Sequence, residues 1–201
     1  MSNIDVQHIL GNTDIYLIDQ ILKNRYQQHE LILDAGCGSG RNLQWFLSTN
    51  KTIFAIDQNE SVIQQLQQRH FSLPRGGFQT ANVESLPFAD NYFNHVISSA
   101  VLHFATGTNH FVAMFTEMLR VLRPGGSLFI RMASDIGIEH KLGEGNDGVF
   151  SIPDGSRRFL LTRSLYQQLL GQYNIAAIEP LKTVNVADVR CMSTLVFTKT
   201  F

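Results

Sequence analysis

The chain has 201 residues, 44 % of them hydrophobic, with 14 Phe and a formal net charge of −1 at pH 7. That size suits one domain burying roughly 70 % of its unfolded surface, and the near-neutral balance excludes an overall basic footprint for nucleic acid or an anionic membrane. The two cysteines, Cys37 and Cys191, make no zinc or CxxC spacing, which fits a reducing compartment.

The opening Met1-Ser2-Asn3-Ile4-Asp5 lacks the basic and apolar regions of a signal peptide. The longest uncharged stretch, residues 91–116, is interrupted by polar side chains and three His, so no membrane span is expected and the location reads as cytoplasmic. Residues 13–25 predict an amphipathic helix with Ile15, Ile18, Ile21 and Leu22 on one face and Asn12 or Thr13 as cap.

Leu31-Ile32-Leu33 is an unbroken apolar run, the pattern of a strand buried on both faces. Asp34 follows, and then Gly36, Gly38 and Gly40 fall on alternate positions. Missing Cβ atoms let the backbone bend tightly there and let a ligand lie against it. A bend between a buried strand and a helix is where nucleotide-like ligands bind in doubly wound sheets. Spacing argues against two such ligands. The last glycine of G-x-G-x-x-G would fall on Arg41, and a Walker loop needs Gly-Lys-Ser/Thr where this chain has Gly40-Arg41-Asn42.

A crossover helix is predicted from Asn42 to Leu47, then a strand from Thr52 to Ile56 ending on Asp57. This acid stands 17 residues past Gly40. In the related dinucleotide fold an acid about 20 residues beyond the glycines accepts hydrogen bonds from ribose hydroxyls. The other reading, a cap for the next helix, suits Asn59 better. Residues 60–70 predict a helix with Val62, Ile63 and Leu66 inward and a solvated glutamine face. Pro74-Arg75-Gly76-Gly77 breaks the chain before a short strand, Phe78 to Ala81.

His95 to Ser99 reads as a fourth strand, and Phe111, Phe115, Met118, Leu119 and Leu122 mark an amphipathic helix. Arg123-Pro124-Gly125-Gly126 places Pro and Gly for a type II turn ahead of a fifth strand, Ser127 to Met132. From residue 133 to 158 periodicity is lost among five glycines and Pro153. The stretch predicts a long loop or small hairpin insertion, a common form for lids and binding loops. A helix resumes near Thr162 with Leu165, Leu169 and Leu170 inward, and residues 176–186 and 192–198 alternate as two strands.

Three motifs stand in one order: Asp34-Ala35-Gly36-Cys37-Gly38-Ser39-Gly40, then Asn82-Val83-Glu84-Ser85-Leu86-Pro87-Phe88 with Phe93-Asn94, then Leu122-Arg123-Pro124-Gly125-Gly126. Together they resemble the class I S-adenosylmethionine-dependent methyltransferases, in particular the type 11 group of the ubiquinone and menaquinone biosynthesis kind. The resemblance implies an α/β, Rossmann-like doubly wound sheet of seven strands, mostly parallel with an antiparallel last strand. Beside it, chain length predicts a single domain over residues 1–201, and the 133–158 stretch, where the resemblance thins out, is expected to be a substrate lid. The resemblance implies S-adenosylmethionine as cofactor and S-adenosylhomocysteine as product.

The cofactor-binding residues that follow from this likeness are Asp34, Gly36, Cys37, Gly38, Gly40, Asn42, Asp57, Gln58, Asn82, Val83, Ser99 and Ala100. Asp34 would orient the methionine ammonium end and Asp57 the ribose. The family has an acid where this chain has Asn82, and a later Asp where it has Asn94. A side-chain amide still offers an acceptor oxygen for the adenine amino group. The predicted 13–25 helix would pack over the cofactor edge, with Tyr16 either touching ligand or closing the helix boundary.

Methyl transfer from a sulfonium is an in-line displacement whose leaving group is already activated. Alignment of the two reactants can contribute roughly 7–11 kcal/mol. A base is needed only for an acceptor that must lose a proton. His103 is the candidate base, because an imidazole near its ordinary pKa of about 6.5 is largely neutral at pH 7. A rim or packed histidine is the alternative. His140, Arg157 and Arg131 are candidate substrate residues for an anionic acceptor, with Arg158 beside them; solvent-facing charge is the plainer reading of these. The expected partner is a small-molecule methyl acceptor, with neither nucleic acid nor membrane, and the protein a monomer or homodimer. Two other classes share the fold: a catalytically silent cofactor-binding regulator and a nicotinamide-dependent oxidoreductase.

Overall fold

A computed structural model describes residues 5–70 and 77–201. The Pro74-Arg75-Gly76 part of the expected chain break lies outside them. In chain order the elements are α1 (Val6–Leu10), α2 (Ile15–Leu22), β1 (Leu31–Ala35), α3 (Gln44–Ser48), β2 (Thr52–Asp57), α4 (Glu60–Arg69), β3 (Phe78–Thr80) and β4 (Phe93–Ser99). Then come α5 (Thr108–Val121), β5 (Leu122–Ser134), β6 (Gly145–Asn146), β7 (Val149–Ser151), β8 (Arg157–Phe159), α6 (Arg163–Gln172), β9 (Ile175–Ala177), β10 (Lys182–Val186) and β11 (Arg190–Lys199).

The main sheet runs β10-β11-β5-β4-β1-β2-β3. Strands β1 to β5 pair in parallel, and β11 is antiparallel to β5, as the Rossmann-like expectation required. Alternate side chains feed two cores. Leu33, Val96, Leu128 and Ile130 meet Phe111, Phe115 and Met118 of α5 on one face. Ile32, Ile53, Ile97 and Phe129 meet Leu17, Phe46 and Ile63 on the other. Every residue of β4 is buried, which is why these strands carry apolar runs rather than alternation.

Three details differ from the sequence reading. The helix expected over 13–25 is the shorter α2, capped by Asp14, whose carboxylate accepts from the Tyr16 amide. Its inner face is Leu17, Gln20 and Ile21, while Ile15 and Leu22 are 69 % and 77 % exposed. Two apolar stripes were available, and contact with Phe46 and Tyr26 selects the one holding Leu17 and Ile21. The strand expected over 176–186 is split into β9 and β10, both antiparallel to β11, so the main sheet has eight strands where seven were expected. Pro180 sits in the gap and has no N–H to give a ladder.

The type II turn is absorbed into β5. Leu122 pairs with Phe93 and Ser127 with His95, so Arg123 to Gly126 bulge out between them, with Gly125 at φ +78°. Asn94 works at this lower end of the sheet, its Oδ1 accepting from the Leu31 amide at 3.0 Å. Of the two forms expected for 133–158, long loop or hairpin insertion, the chain takes the second, a three-stranded antiparallel sheet of β6, β7 and β8. Phe159 at its end stacks on Phe111 of α5 at 4.8 Å.

Helix α2 is fastened across the molecule. Glu179, between β9 and β10, accepts from Gln20, Lys23, Arg25 and Lys182 at 2.7–3.1 Å. No helix among the described residues is long and apolar enough to cross a membrane.

Candidate functional site

A cleft of about 460 Å³ opens at the carboxyl ends of β1, β2 and β4. Strand β1 lies between β2 and β4, so this is where the strand order reverses and ligands of open α/β sheets bind. The glycine bend forms its floor. Gly36 and Cys37 both donate their amides to the Ile56 carbonyl, at 2.9 and 2.8 Å, folding the chain back over the end of β2.

The three glycines serve different ends. A Cβ on Gly36, at φ +86°, would stand 2.5 Å from Val101 Cγ2; one on Gly40 would stand 2.7 Å from Leu66 Cδ2. At Gly38, φ +52°, a Cβ would meet nothing within 4 Å, so that glycine leaves open space on the ligand side. Gly36, Cys37 and Gly38 line the cleft, whereas Gly40 lies behind it and lets α4 approach.

Two acids flank the bend. Asp57 accepts from the Gly38 amide through Oδ2 and from the Asn59 amide through Oδ1, each at 2.9 Å. Asp34 is 1 % exposed and neither carboxylate oxygen has a hydrogen-bond partner among the described residues. Burial raises its pKa to about 7, against the pull of the Arg41 charge. It does not line the cleft but stands directly behind it, a buried acceptor left unsatisfied.

The remaining predicted residues fall into place around these. Asn42, Gln58, Asn82, Val83, Ser99 and Ala100 all line the cleft. Ala100 is held at φ +64°, an uncommon conformation for a residue with a Cβ, by its amide bond to the Arg131 carbonyl at 2.7 Å. Cys37 is 6 % exposed, and burial together with the nearby Asp34 and Asp57 charges pushes its thiol far up. It offers backbone, not a nucleophile.

Sequence reasoning missed a polar clamp at the cleft edge. Asp14, with its side chain 3 % exposed, takes Arg41 at 3.3 Å and Arg131 at 3.0 Å on the same oxygen. Arg41 also donates to Ser99 Oγ at 3.2 Å, Arg131 lies 5.0 Å from the Tyr16 ring centroid, and the Asp14 amide donates to Asn42 Oδ1 at 3.0 Å. The signal available was Asp14 as a helix cap and Arg41 as the residue after the last glycine; nothing local joins them to position 131. Also unforeseen are Glu84 and His110, which face each other at 3.6 Å within the cleft lining.

The candidates for chemistry are not assembled as expected. His103 is 7 % exposed and does not line the cleft; its Nδ1 accepts from the Ala133 amide at 3.3 Å. Burial, with the charges of Arg158, Arg190 and Arg131, lowers its pKa to about 4. The imidazole is therefore neutral with its proton on Nε2, a wall residue rather than a poised base. His140 is exposed on the 3₁₀ turn Glu139–Lys141, and Arg157 is exposed and bonded to Ser151 Oγ at 3.2 Å. No residue of 133–158 lines the cleft itself; the insertion reaches it through Arg158, which lies over the cleft residue Phe104.

The donor set suits an amino-acid-bearing nucleoside: a carboxylate for vicinal hydroxyls, arginine for a carboxylate, an unsatisfied buried acid for an amine, and a glycine floor a Cβ would obstruct. No group of three or more metal-ligating side chains occurs among the described residues.

Comparison with known proteins agrees. Residues 33–130 match the family described as "Methyltransferase domain". Phthiotriol/phenolphthiotriol dimycocerosates methyltransferase 1 of Mycobacterium ulcerans is 33 % identical over 99 residues, 48 % of this chain and 35 % of that one. Malonyl-[acyl-carrier protein] O-methyltransferase of Erwinia billingiae is 29 % identical over 110 residues, 54 % of this chain and 41 % of that one. The chain thus spans well under half the length of these curated relatives. Among solved structures, an S-adenosylmethionine-dependent methyltransferase from Methanosarcina mazei superposes with TM-score 0.70 at 21 % identity, covering 90 % of this chain and 97 % of that one. The 1,6-didemethyltoxoflavin-N1-methyltransferase of Burkholderia thailandensis, solved with bound 1,6-didemethyltoxoflavin and S-adenosylhomocysteine, superposes with TM-score 0.67 at 18 % identity, covering 92 % and 76 %.

Proposed function

From a chain whose residues 33–130 match the methyltransferase-domain family and whose fold superposes on solved methyltransferases, we infer that the protein transfers a methyl group from S-adenosylmethionine to a small molecule. The observation that carries this reading is the closed pair of Asp57 and Gly38 at the switch point, with the unsatisfied Asp34 behind it. When bound, the cofactor supplies a sulfonium methyl, already activated for in-line displacement.

The chain's own residues would hold and align. Asp57 would accept hydrogen bonds from the two ribose hydroxyls. Asn82 would offer its amide to the adenine edge, against Val83. Arg41, kept in place by Asp14 and Ser99, would take the amino-acid carboxylate, and Asp34 would balance the neighbouring ammonium. Ser99 and Ala100, in backbone fixed by Arg131, would border the methyl. Such positioning can contribute roughly 7–11 kcal/mol to lowering the barrier.

Near-neutral charge supports a small acceptor rather than nucleic acid, and the cysteine usage supports a cytoplasmic location. The 133–158 insertion is read as the acceptor-side border. The direct test is titration calorimetry with S-adenosylmethionine and with S-adenosylhomocysteine. Both are expected to bind at one site per chain; absence of binding to either overturns the reading. Formation of S-adenosylhomocysteine on adding acceptors then separates an enzyme from a silent relative.

A further inference from the structure

The outer wall of the cleft carries an exposed ring. Phe104 is 59 % exposed although it lines the cleft, and Arg158 of β8 holds its guanidinium 4.9 Å from the ring centroid. Neighbouring residues on a strand face opposite ways. Arg157 therefore turns aside to Ser151, and Arg158 is the arginine that overlooks the cleft.

The other cations around the mouth each have an acidic partner. Arg41 and Arg131 share Asp14, Arg190 pairs with Asp154 at 3.8 Å, and Glu84 faces His110. Arg158 has no ion pair among the described residues. Its side chain donates to the Arg157 carbonyl at 2.7 Å, and Asp154 acts on it only at longer range. Stacking orients a guanidinium without consuming its N–H donors, which leaves a planar fork for a carboxylate. A molecule laid against Phe104 brings an acid group within reach of that fork.

We propose, resting on the methyl-transfer reading above, that the methyl acceptor is an organic carboxylate, its acid group on Arg158 and its flat apolar body against Phe104 and Met114, which also lines the cleft. Arg158 is then the residue that selects anions over neutral molecules of the same shape. Neither Arg158 nor Phe104 is among the residues assigned to the cofactor, so anion selection and cofactor binding separate.

The test uses 2-naphthoate and its neutral isostere 2-naphthamide as probes, titrated calorimetrically into the whole protein saturated with S-adenosylhomocysteine. Naphthoate is expected to bind at least tenfold more tightly than naphthamide. Arg158→Gln is expected to abolish that preference while binding S-adenosylhomocysteine as the parent does, and Arg158→Lys to restore part of it. Equal affinity for the two probes, a preference that survives in Arg158→Gln, or no naphthoate binding to a parent that binds S-adenosylhomocysteine overturns the proposal. If S-adenosylhomocysteine does not bind, the methyl-transfer reading fails instead, and the same two titrations without it still decide the role of Arg158.

Discussion

The carboxylate of Asp57 and the backbone amide of Gly38 meet at 2.9 Å, joining the end of β2 to the middle of the glycine bend. One side chain thus fixes the floor of the cleft and presents its remaining lone pairs to whatever lies there. Asn59, not Asp57, caps α4, its Oδ1 accepting from the Ser61 amide at 3.1 Å.

Asp57→Ala should lose charge-assisted hydrogen bonds worth roughly 1.5–3 kcal/mol, or about ten- to hundredfold in affinity for S-adenosylhomocysteine. Calorimetry on the two proteins checks this. Undiminished affinity in the variant means that the ribose is held elsewhere.

Asp34 should set stability against binding. Burial raises its folded pKa to about 7, above an unfolded value of about 3.9. The folded protein therefore binds the extra proton in that interval and loses stability as the pH climbs through it. Asp34→Asn should flatten this slope, melting above the parent at pH 8 and level with it near pH 4. Parent affinity for S-adenosylhomocysteine should rise between pH 6 and 8, as Asp34 ionises beside the ligand ammonium, and the variant's should stay flat and lower. Thermal melts and calorimetry across pH test both halves, and a flat parent profile sinks the ammonium role.

Gly36 and Gly38 make a matched pair of substitutions. Alanine in a left-handed conformation costs about 1–2 kcal/mol at either position. At Gly36 the new methyl also strikes Val101, 2.5 Å away, adding an overpacking cost of about 1–3 kcal/mol. Chemical denaturation should find Gly36→Ala the less stable, with Val101→Ala recovering part of the loss. Gly38→Ala should remain folded and bind cofactor weakly. Equal destabilisation by the two would rule Val101 out as the cause.

His103 should behave as part of the wall. With its pKa lowered to about 4, its ring should show no NMR titration above pH 5, and no break in a rate profile between pH 5.5 and 8 should follow it. His103→Leu strips the Ala133 amide of its acceptor at a cost of roughly 1–3 kcal/mol, whereas His103→Asn can replace Nδ1 with Oδ1. A titration near pH 6.5 that moves with turnover would restore it as a base.

What was legible in the sequence was local. Leu31 to Gly40 and Thr52 to Asp57 each announce a buried strand running into a turn, and the glycine bend and Asp57 stand out as ligand-binding from that pattern and its spacing. Asn82 and Val83 have no such local signal and follow only from the likeness to a known family. What was not legible needed contacts across the chain. Asp14 meets Arg131 over 117 positions, and His110 reaches Glu84 only because α5 packs beside the β3–β4 connection. The inner face of α2 was ambiguous because two apolar stripes compete on one short helix. His103 lies next to the cleft in sequence, yet the 3₁₀ turn Leu102–Phe104 rotates it into the wall and turns Phe104 outward.

The two ends of α2 are held by charge as much as by packing, through Asp14 at one end and through Glu179 with Lys23 and Arg25 beyond the other. Dissolved ions reach the half-exposed partners Arg41 and Lys23 more readily than the buried carboxylates they meet, and weaken those contacts more than they weaken a hydrophobic core. Ionic strength therefore acts on the edge of the cleft before it acts on the sheet, so salt should loosen the hold on a bound molecule in a protein that remains folded.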